Sequence, residues 1–193
     1  MNKLFLFVCC AAVVTFLGCG QVAPENGNKP AENRPANATK PEAVTENSSM
    51  DLFQEGTNAY FAKDYKKATE IYRKALDLEK KDPKLEKKWW FVLIDNLSMA
   101  YGISGDIKNS REVIEYGISK EPTYPLFYYN NACGYGEENN EAKAIENLRL
   151  AYKYKGNMLE GEKIPEPTTD SSFKNLMKSD SFKKAVENMK SGK

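Results

Sequence analysis

The chain has 193 residues, with 28 basic and 27 acidic side chains and no histidine. Missing histidine removes the commonest general base and metal ligand, and a near-neutral charge argues against binding to nucleic acid. Neither a nucleophile-elbow motif, a P-loop nor a Cys-x-x-Cys pair occurs. We therefore expect a protein that is not an enzyme, with no cofactor, no metal site and no small-molecule substrate. At this length we expect one folded domain with appendages.

The first eighteen residues predict a targeting segment, because an apolar run up to Gly18 is shorter than the roughly 20 residues of a spanning helix. The pair Gly18-Cys19 resembles the cleavage site of a bacterial lipoprotein signal, although Phe16 and Leu17 stand where that family prefers leucine and a smaller residue. The resemblance implies that residues 1–18 are removed and that Cys19 is acylated, as with palmitate. Lipid would then hold the protein on a membrane of the bacterial cell envelope. An ordinary signal peptide, which leaves a soluble secreted protein, is the alternative.

A tether is expected next. Residues 20–48 contain four prolines, five asparagines and no aromatic side chain, a composition that cannot bury a core. We assign residues 19–49 to the lipidated cysteine and a disordered linker that spans about 30 Å as a flexible coil. Once the signal is removed and Cys19 is acylated, Cys133 is the only free thiol, which excludes an intramolecular disulfide.

The middle of the chain repeats itself. Residues 97–122 and 131–156 match with a spacing of 34, so that Tyr101 corresponds to Tyr135. An earlier copy at 52–78 carries small residues on the same pattern, but eight additional residues separate it from the second copy. Each copy contains a turn signal between two helical stretches; these are Lys63-Asp64, Gly105-Asp106 and Asn139-Asn140. The dipeptide Asp82-Pro83 predicts that a helix begins near Lys84.

These copies resemble the tetratricopeptide repeat (TPR) family, in which small residues, a tyrosine and a proline recur at fixed positions. The second copy supplies Ser98, Tyr101, Ser110, Gly117 and Pro122. The resemblance implies an all-α fold, a right-handed superhelical solenoid of about three TPR helix hairpins with a C-terminal helical cap. The TPR domain would cover 50–155, with repeats at about 50–80, 84–122 and 125–155, followed by a loop and capping helices in 156–193.

The C-terminal piece has apolar residues at helical spacing, including Phe173 and Phe182. Asp170 or Ser171 is placed to cap one short helix and Asp180 another. A solenoid end needs a cap with one apolar face, which is one interpretation of this piece. A segment that folds into the groove and inhibits binding is the other.

The resemblance also implies a concave groove, in which the first helix of each hairpin presents side chains to another protein or peptide. Asn96 and Asn130 share the position where the family often uses an amide to hold a peptide backbone, and Cys133 is expected as a groove-facing residue. The partner-binding groove would comprise Phe53, Thr57, Tyr60, Phe61, Asp95, Asn96, Met99, Tyr129, Asn130 and Cys133.

This groove is apolar and aromatic with little acid, and suits an apolar or aromatic peptide or helix. Two alternatives remain open. The C-terminal segment covers some of these side chains, or the protein is a structural subunit of an envelope assembly machine that uses its convex face.

Overall fold

The computed structural model describes residues 48–192; the signal, Cys19 and all of the linker before Ser48 lie outside them. The described chain forms α-helices, short 3-10 turns and loops, without a β-strand. The fold-class prediction of an all-α repeat protein is confirmed. The helices are α1 (Ser49–Phe61), α2 (Tyr65–Lys81), α3 (Lys87–Ile103), α4 (Ile107–Lys120), α5 (Pro125–Glu137), α6 (Glu141–Lys153) and α7 (Asp180–Ser191), with 3-10 turns at Lys155–Asn157, Ser171–Phe173 and Leu176–Lys178.

The three predicted hairpin turns are confirmed. In each, one residue with a left-handed backbone is followed by an Asp or Asn whose side chain accepts the backbone N–H three residues later, at 3.1–3.2 Å. That side chain satisfies a backbone amide that a helix start otherwise leaves unpaired. The turn pairs are Lys63-Asp64, Gly105-Asp106 and Asn139-Asn140.

The hairpins stack in two layers. Helix α3 contacts both α1 and α5, and these three helices form the inner layer. Helices α2, α4 and α6 pack behind them. Small residues let the layers approach. A Cβ on Gly56 would lie 2.6 Å from the Tyr72 ring, and the side chains of Ala68 and Ala144 are fully buried. This is the packing that the repeat positions predicted.

Two groups of apolar side chains form the core. The first joins the first two hairpins to the start of α5, where the Phe91 and Tyr124 rings stack with centroids 4.0 Å apart. The second joins α5 and α6 to the C-terminal segment (residues 156–192), whose Phe173 and Phe182 are fully buried. The C-terminal segment therefore closes the last hairpin, as a solenoid cap must.

The prediction that α3 begins near Lys84 is wrong, since the helix begins at Lys87. Glu79 is the cause. Its buried carboxylate, 3% exposed, accepts the backbone N–H groups of Lys84 and Leu85 at 3.1–3.2 Å and the hydroxyl of Ser49. Because these amides turn toward the carboxylate, the helix starts only after them.

One of the two helix caps predicted in the C-terminal segment is confirmed. Asp170 accepts the Ser172 backbone N–H at 2.9 Å, as predicted. Helix α7, however, is capped by Ser179, whose hydroxyl accepts the Phe182 N–H, and Asp180 is its first helical residue. An acidic residue in the first turn still interacts favourably with the helix dipole.

Candidate functional site

A chain of hydrogen bonds fixes the inner face of the first two hairpins. The Asn96 amide donates to the Tyr72 hydroxyl at 3.1 Å, which donates to the Thr57 hydroxyl at 3.0 Å. Thr57 in turn donates to the carbonyl oxygen of Phe53 at 2.8 Å. The hydrogen bond from Asn96 to Tyr72 uses one of the two N–H groups of the Asn96 amide. Two of the predicted groove residues, Thr57 and Asn96, are thus held in place by a tyrosine from the outer layer.

The apolar side chains predicted here divide into core and surface. Phe53 and Tyr60 are buried, 6% and 7% exposed, and each packs against other aromatic rings. Phe61 is 61% exposed, the one exposed large hydrophobic side chain of the described residues. Met99 is half-buried. Phe61 and Met99 are therefore available to a partner, whereas Phe53 and Tyr60 serve the core.

Between the second and third hairpins, two predicted residues bind each other. The Asn130 amide donates to a carboxylate oxygen of Asp95. Glu162, from the C-terminal segment, lies close enough to act on the same carboxyl. Burial, and then the negative charge of Glu162, raise the pKa of Asp95 to about 7. Both carboxylate oxygens of Glu162 accept the Tyr124 hydroxyl at 2.9 Å, and burial raises the pKa of Glu162 as well.

The C-terminal segment covers Tyr129 and Cys133. The Tyr129 hydroxyl donates to Asp170 at 2.9 Å, and the Cys133 sulfur lies 3.8 Å from the same oxygen. Burial, with the Asp170 charge, raises the pKa of the Cys133 thiol well above its usual range. A thiol that holds its proton is a poor nucleophile. Cys133 faces the C-terminal segment and is 6% exposed, so the expectation of an open groove at this residue is corrected.

Gly136 shows how closely the C-terminal segment lies against α5. A Cβ at this position would stand 2.6 Å from the carbonyl oxygen of Ser172 and 2.8 Å from the Phe173 ring. Gly102 occupies the same position one repeat earlier, and there the nearest atom is 3.7 Å away. The inner face is therefore closed at the third hairpin and open at this position of the second. The sequence analysis left open whether the C-terminal segment covers some of the predicted groove residues. It covers Tyr129, whereas Phe53 and Tyr60 pack against aromatic rings of the repeats themselves.

Sequence reasoning missed Glu162 and considered Asp170 only as a helix cap; these are the two carboxylates that the C-terminal segment brings to this face. Neither lies on the repeat pattern, and both meet their tyrosines across more than 35 residues of chain, at separations of 38 and 41. No local signal marks such a pairing.

Two cavities adjoin these elements. One of about 20 Å³, lined by Met99, Asn130 and Cys133 among others, lies between the second and third hairpins and has room for about one water molecule. The other, about 400 Å³, lies between α6 and α7 and is lined in part by Arg149, Tyr152 and Met189. Within residues 48–192, no group of acidic or cysteine side chains could hold a metal ion, and no helix is long and apolar enough to cross a membrane.

Comparison with known proteins identifies the fold. No family model matches the chain, and no curated protein matches it either. Among solved structures, the chain is similar to the crystal structure of PcrH from Pseudomonas aeruginosa, with a TM-score of 0.51 and 14% sequence identity. The similarity covers 77% of this chain and 96% of that one. At this identity the likeness shows the fold alone, and with the three capped hairpins it identifies a TPR-type helical-repeat fold.

Proposed function

We propose that this protein is a membrane-tethered TPR-type interaction module of the bacterial cell envelope. It binds a peptide or helix of another envelope protein on the inner face of its hairpins, and it is not an enzyme. One observation carries the proposal: the inner face already holds a stretch of polypeptide from outside the repeats. The contacts of Asp170 with Tyr129 and of Ser172 with Gly136 are those of a face shaped to receive a chain.

The open part of the inner face supports the same function. Phe61 and Met99 offer apolar surface, and the amide of Asn96 is held in one orientation by Tyr72. Met99 lies one helical turn from Asn96 on α3, and apolar side chains together with a fixed amide are the means by which a groove binds a helix or an extended peptide. An amide already fixed before binding loses less conformational entropy when the partner arrives.

A photo-crosslinking amino acid at Phe61 or at Met99 tests the binding face in intact cells. The matched control carries the same label at Glu112, an exposed residue of the outer helix α4. We expect a discrete crosslinked partner from the inner positions, and its loss when Phe61 and Met99 are both changed to alanine. Tyr60 and Tyr129 are left unchanged because they are core residues, and their loss would test folding and not binding. Crosslinks from Glu112 alone would replace the proposal with the convex-face structural subunit.

The membrane tether is proposed from Gly18-Cys19, which lie outside the described residues. Cells fed a labelled palmitate analogue should incorporate it into the full-length chain. The Cys19→Ala variant should lose both the label and the partitioning into detergent. A label that survives this substitution would argue against acylation at Cys19.

A further inference from the structure

Residues 157–169 form a cover over the inner face at the junction of α3 and α5. Apart from Asn157, which is the last residue of a 3-10 turn, this cover segment contains no helix. Pro167 is its only buried residue. Its polar attachments are few: the Asn157 amide donates to the Thr123 carbonyl at 3.1 Å, and Glu162 accepts from Tyr124. Met158 and Leu159 pack partly buried against the first core. Ile164 packs partly buried against the second core. None of these three side chains is fully buried, whereas Phe173 and Phe182 in the cap are.

The far end of the cover segment is tied to the cap by an ion pair. Glu166 accepts from the Lys190 ammonium at 2.6 Å, and that contact lowers the pKa of Glu166. Both side chains are 40% or more exposed, and exposed pairs of this kind contribute little to stability. Locally stable regions are those with many buried apolar contacts, so the cover segment should open before the repeats or the cap do.

The cover segment has the wrong charge for the surface beneath it. It carries three glutamates and one lysine, a net charge of −2. Its Glu162 accepts from the Tyr124 hydroxyl, and the Tyr124 ring stacks on Phe91, one helical turn before Asp95 on α3. The hydrogen-bond partner of Asp95 is the neutral amide of Asn130. Asp95 and Glu162 also both act on Tyr124, which places the three groups in one cluster. These two carboxylates and one phenol contribute no positive charge to the cluster, and placing two negative charges together costs free energy wherever water is excluded.

We infer that the inner face around Asp95, Tyr124 and Asn130 is the docking site for a turn-containing segment of a partner protein that carries a lysine or arginine, which displaces residues 157–169. The inference rests on the proposed function and adds to it the chemistry of the partner. A cation in the place of Glu162 replaces a repulsion by an ion pair with Asp95, and a charged hydrogen bond of this kind is stronger than a neutral one. The cover segment itself shows that a polypeptide fits here, and beside Glu162 that polypeptide forms a turn in which the Glu162 N–H donates to the Leu159 carbonyl oxygen at 3.1 Å.

Two synthetic peptides test the inference against the full-length chain in mild detergent. The first has the sequence of residues 157–169, and the second carries the single change Glu162→Lys. Because both must displace the same built-in cover, competition weakens both by the same factor. Fluorescence anisotropy should give the Lys peptide at least about tenfold tighter binding. The variant Asn157→Ala removes a hydrogen bond that holds the cover segment, and it should raise the affinity for both peptides by the same factor.

The role of Asp95 is tested with an isosteric pair of variants. Asp95→Asn should reduce the preference for the Lys peptide to about twofold or less. Glu112→Gln, the same charge change on the outer layer, should leave it unchanged. Hydrogen exchange at residues 157–169 should rise when the Lys peptide binds. Circular dichroism of both variants confirms that the helices remain.

Three results would overturn the inference: equal affinities, tighter binding of the unchanged acidic peptide, or no measurable binding of either peptide. None of them would remove crosslinks from Phe61 and Met99. If those crosslinks form while the peptide preference is absent, the charge inference fails and the proposed function stands.

Discussion

The stability of this protein should depend on pH through Asp95. The pKa of its carboxyl is about 7 in the folded chain, against 3.8 for a free aspartate. Between these two values the folded state keeps a proton that the unfolded state has released. The free energy of unfolding contributed by Asp95 therefore falls as the pH rises from about 4 to about 7, and it is constant above that.

Asp95→Asn keeps the shape of the side chain and its acceptor for Asn130, but it removes the charge. The two pKa values differ by about 3, and each pKa unit corresponds to about 1.4 kcal/mol, so the cost of ionising Asp95 is at most about 4 kcal/mol. Asp95 is partly exposed, and solvent screening reduces this to about 1–3 kcal/mol. At pH 8 the variant should be more stable than the native chain by that amount.

Urea unfolding followed by tryptophan fluorescence measures the effect, since Trp89 and Trp90 pack partly buried against the first core. The difference between variant and native chain should grow by about 1–3 kcal/mol between pH 4.5 and pH 8. Glu112→Gln serves as the control and should show no such growth. A difference that is the same at both pH values, or a variant that is less stable at pH 8, would refute the assignment of a raised pKa to this residue.

Three further measurements test the packing described above. Gly136→Ala should destabilise the chain by about 1–3 kcal/mol because its Cβ meets the Ser172 carbonyl, whereas Gly102→Ala, at the same repeat position, should be neutral or stabilising by up to about 1 kcal/mol; equal effects in urea unfolding would contradict the close approach. Glu79→Ala should cost about 1–3 kcal/mol, since it leaves two backbone amides without their acceptor, and an unchanged unfolding midpoint would show that water replaces the carboxylate. With the other three cysteines changed to serine, Cys133 should react with a maleimide at least about 100-fold more slowly in the native chain than in urea, because it is buried and keeps its proton; comparable rates would mean that the cap opens freely.

Much of the fold was predictable because it is written in local patterns. A turn residue followed by Asp or Asn recurs with the spacing of the hairpins, and each side chain caps the helix that follows it within three residues. Small residues at fixed positions predict where two helices meet, since only a small side chain permits the approach seen at Gly56. These signals need no knowledge of distant parts of the chain.

The start of α3 was not predictable in this way. Asp82-Pro83 has the composition of a helix start, yet Glu79 draws the next amides into its own hydrogen bonds. A glutamate near the end of a charged helix normally faces solvent. Here it is buried against Ser49, the first residue of α1, whose hydroxyl donates to its carboxylate. A contact 30 residues away thus overrides a strong local signal.

The candidate site shows the same division between local and distant information. The resemblance to the TPR family implied that Asp95 and Asn130 lie on the inner face, but as separate contributors to a groove. Their pairing, and the carboxylate of Glu162 beside them, arise only when residues outside the repeats return across α5. A surface that binds its own chain through tyrosine hydroxyls, while opposing it with a like charge, holds that chain weakly at the point where a partner would enter. The like charges of Asp95 and Glu162 therefore favour replacement of the cover segment by a segment of the partner. The buried Phe173 would keep the cap in place during that replacement.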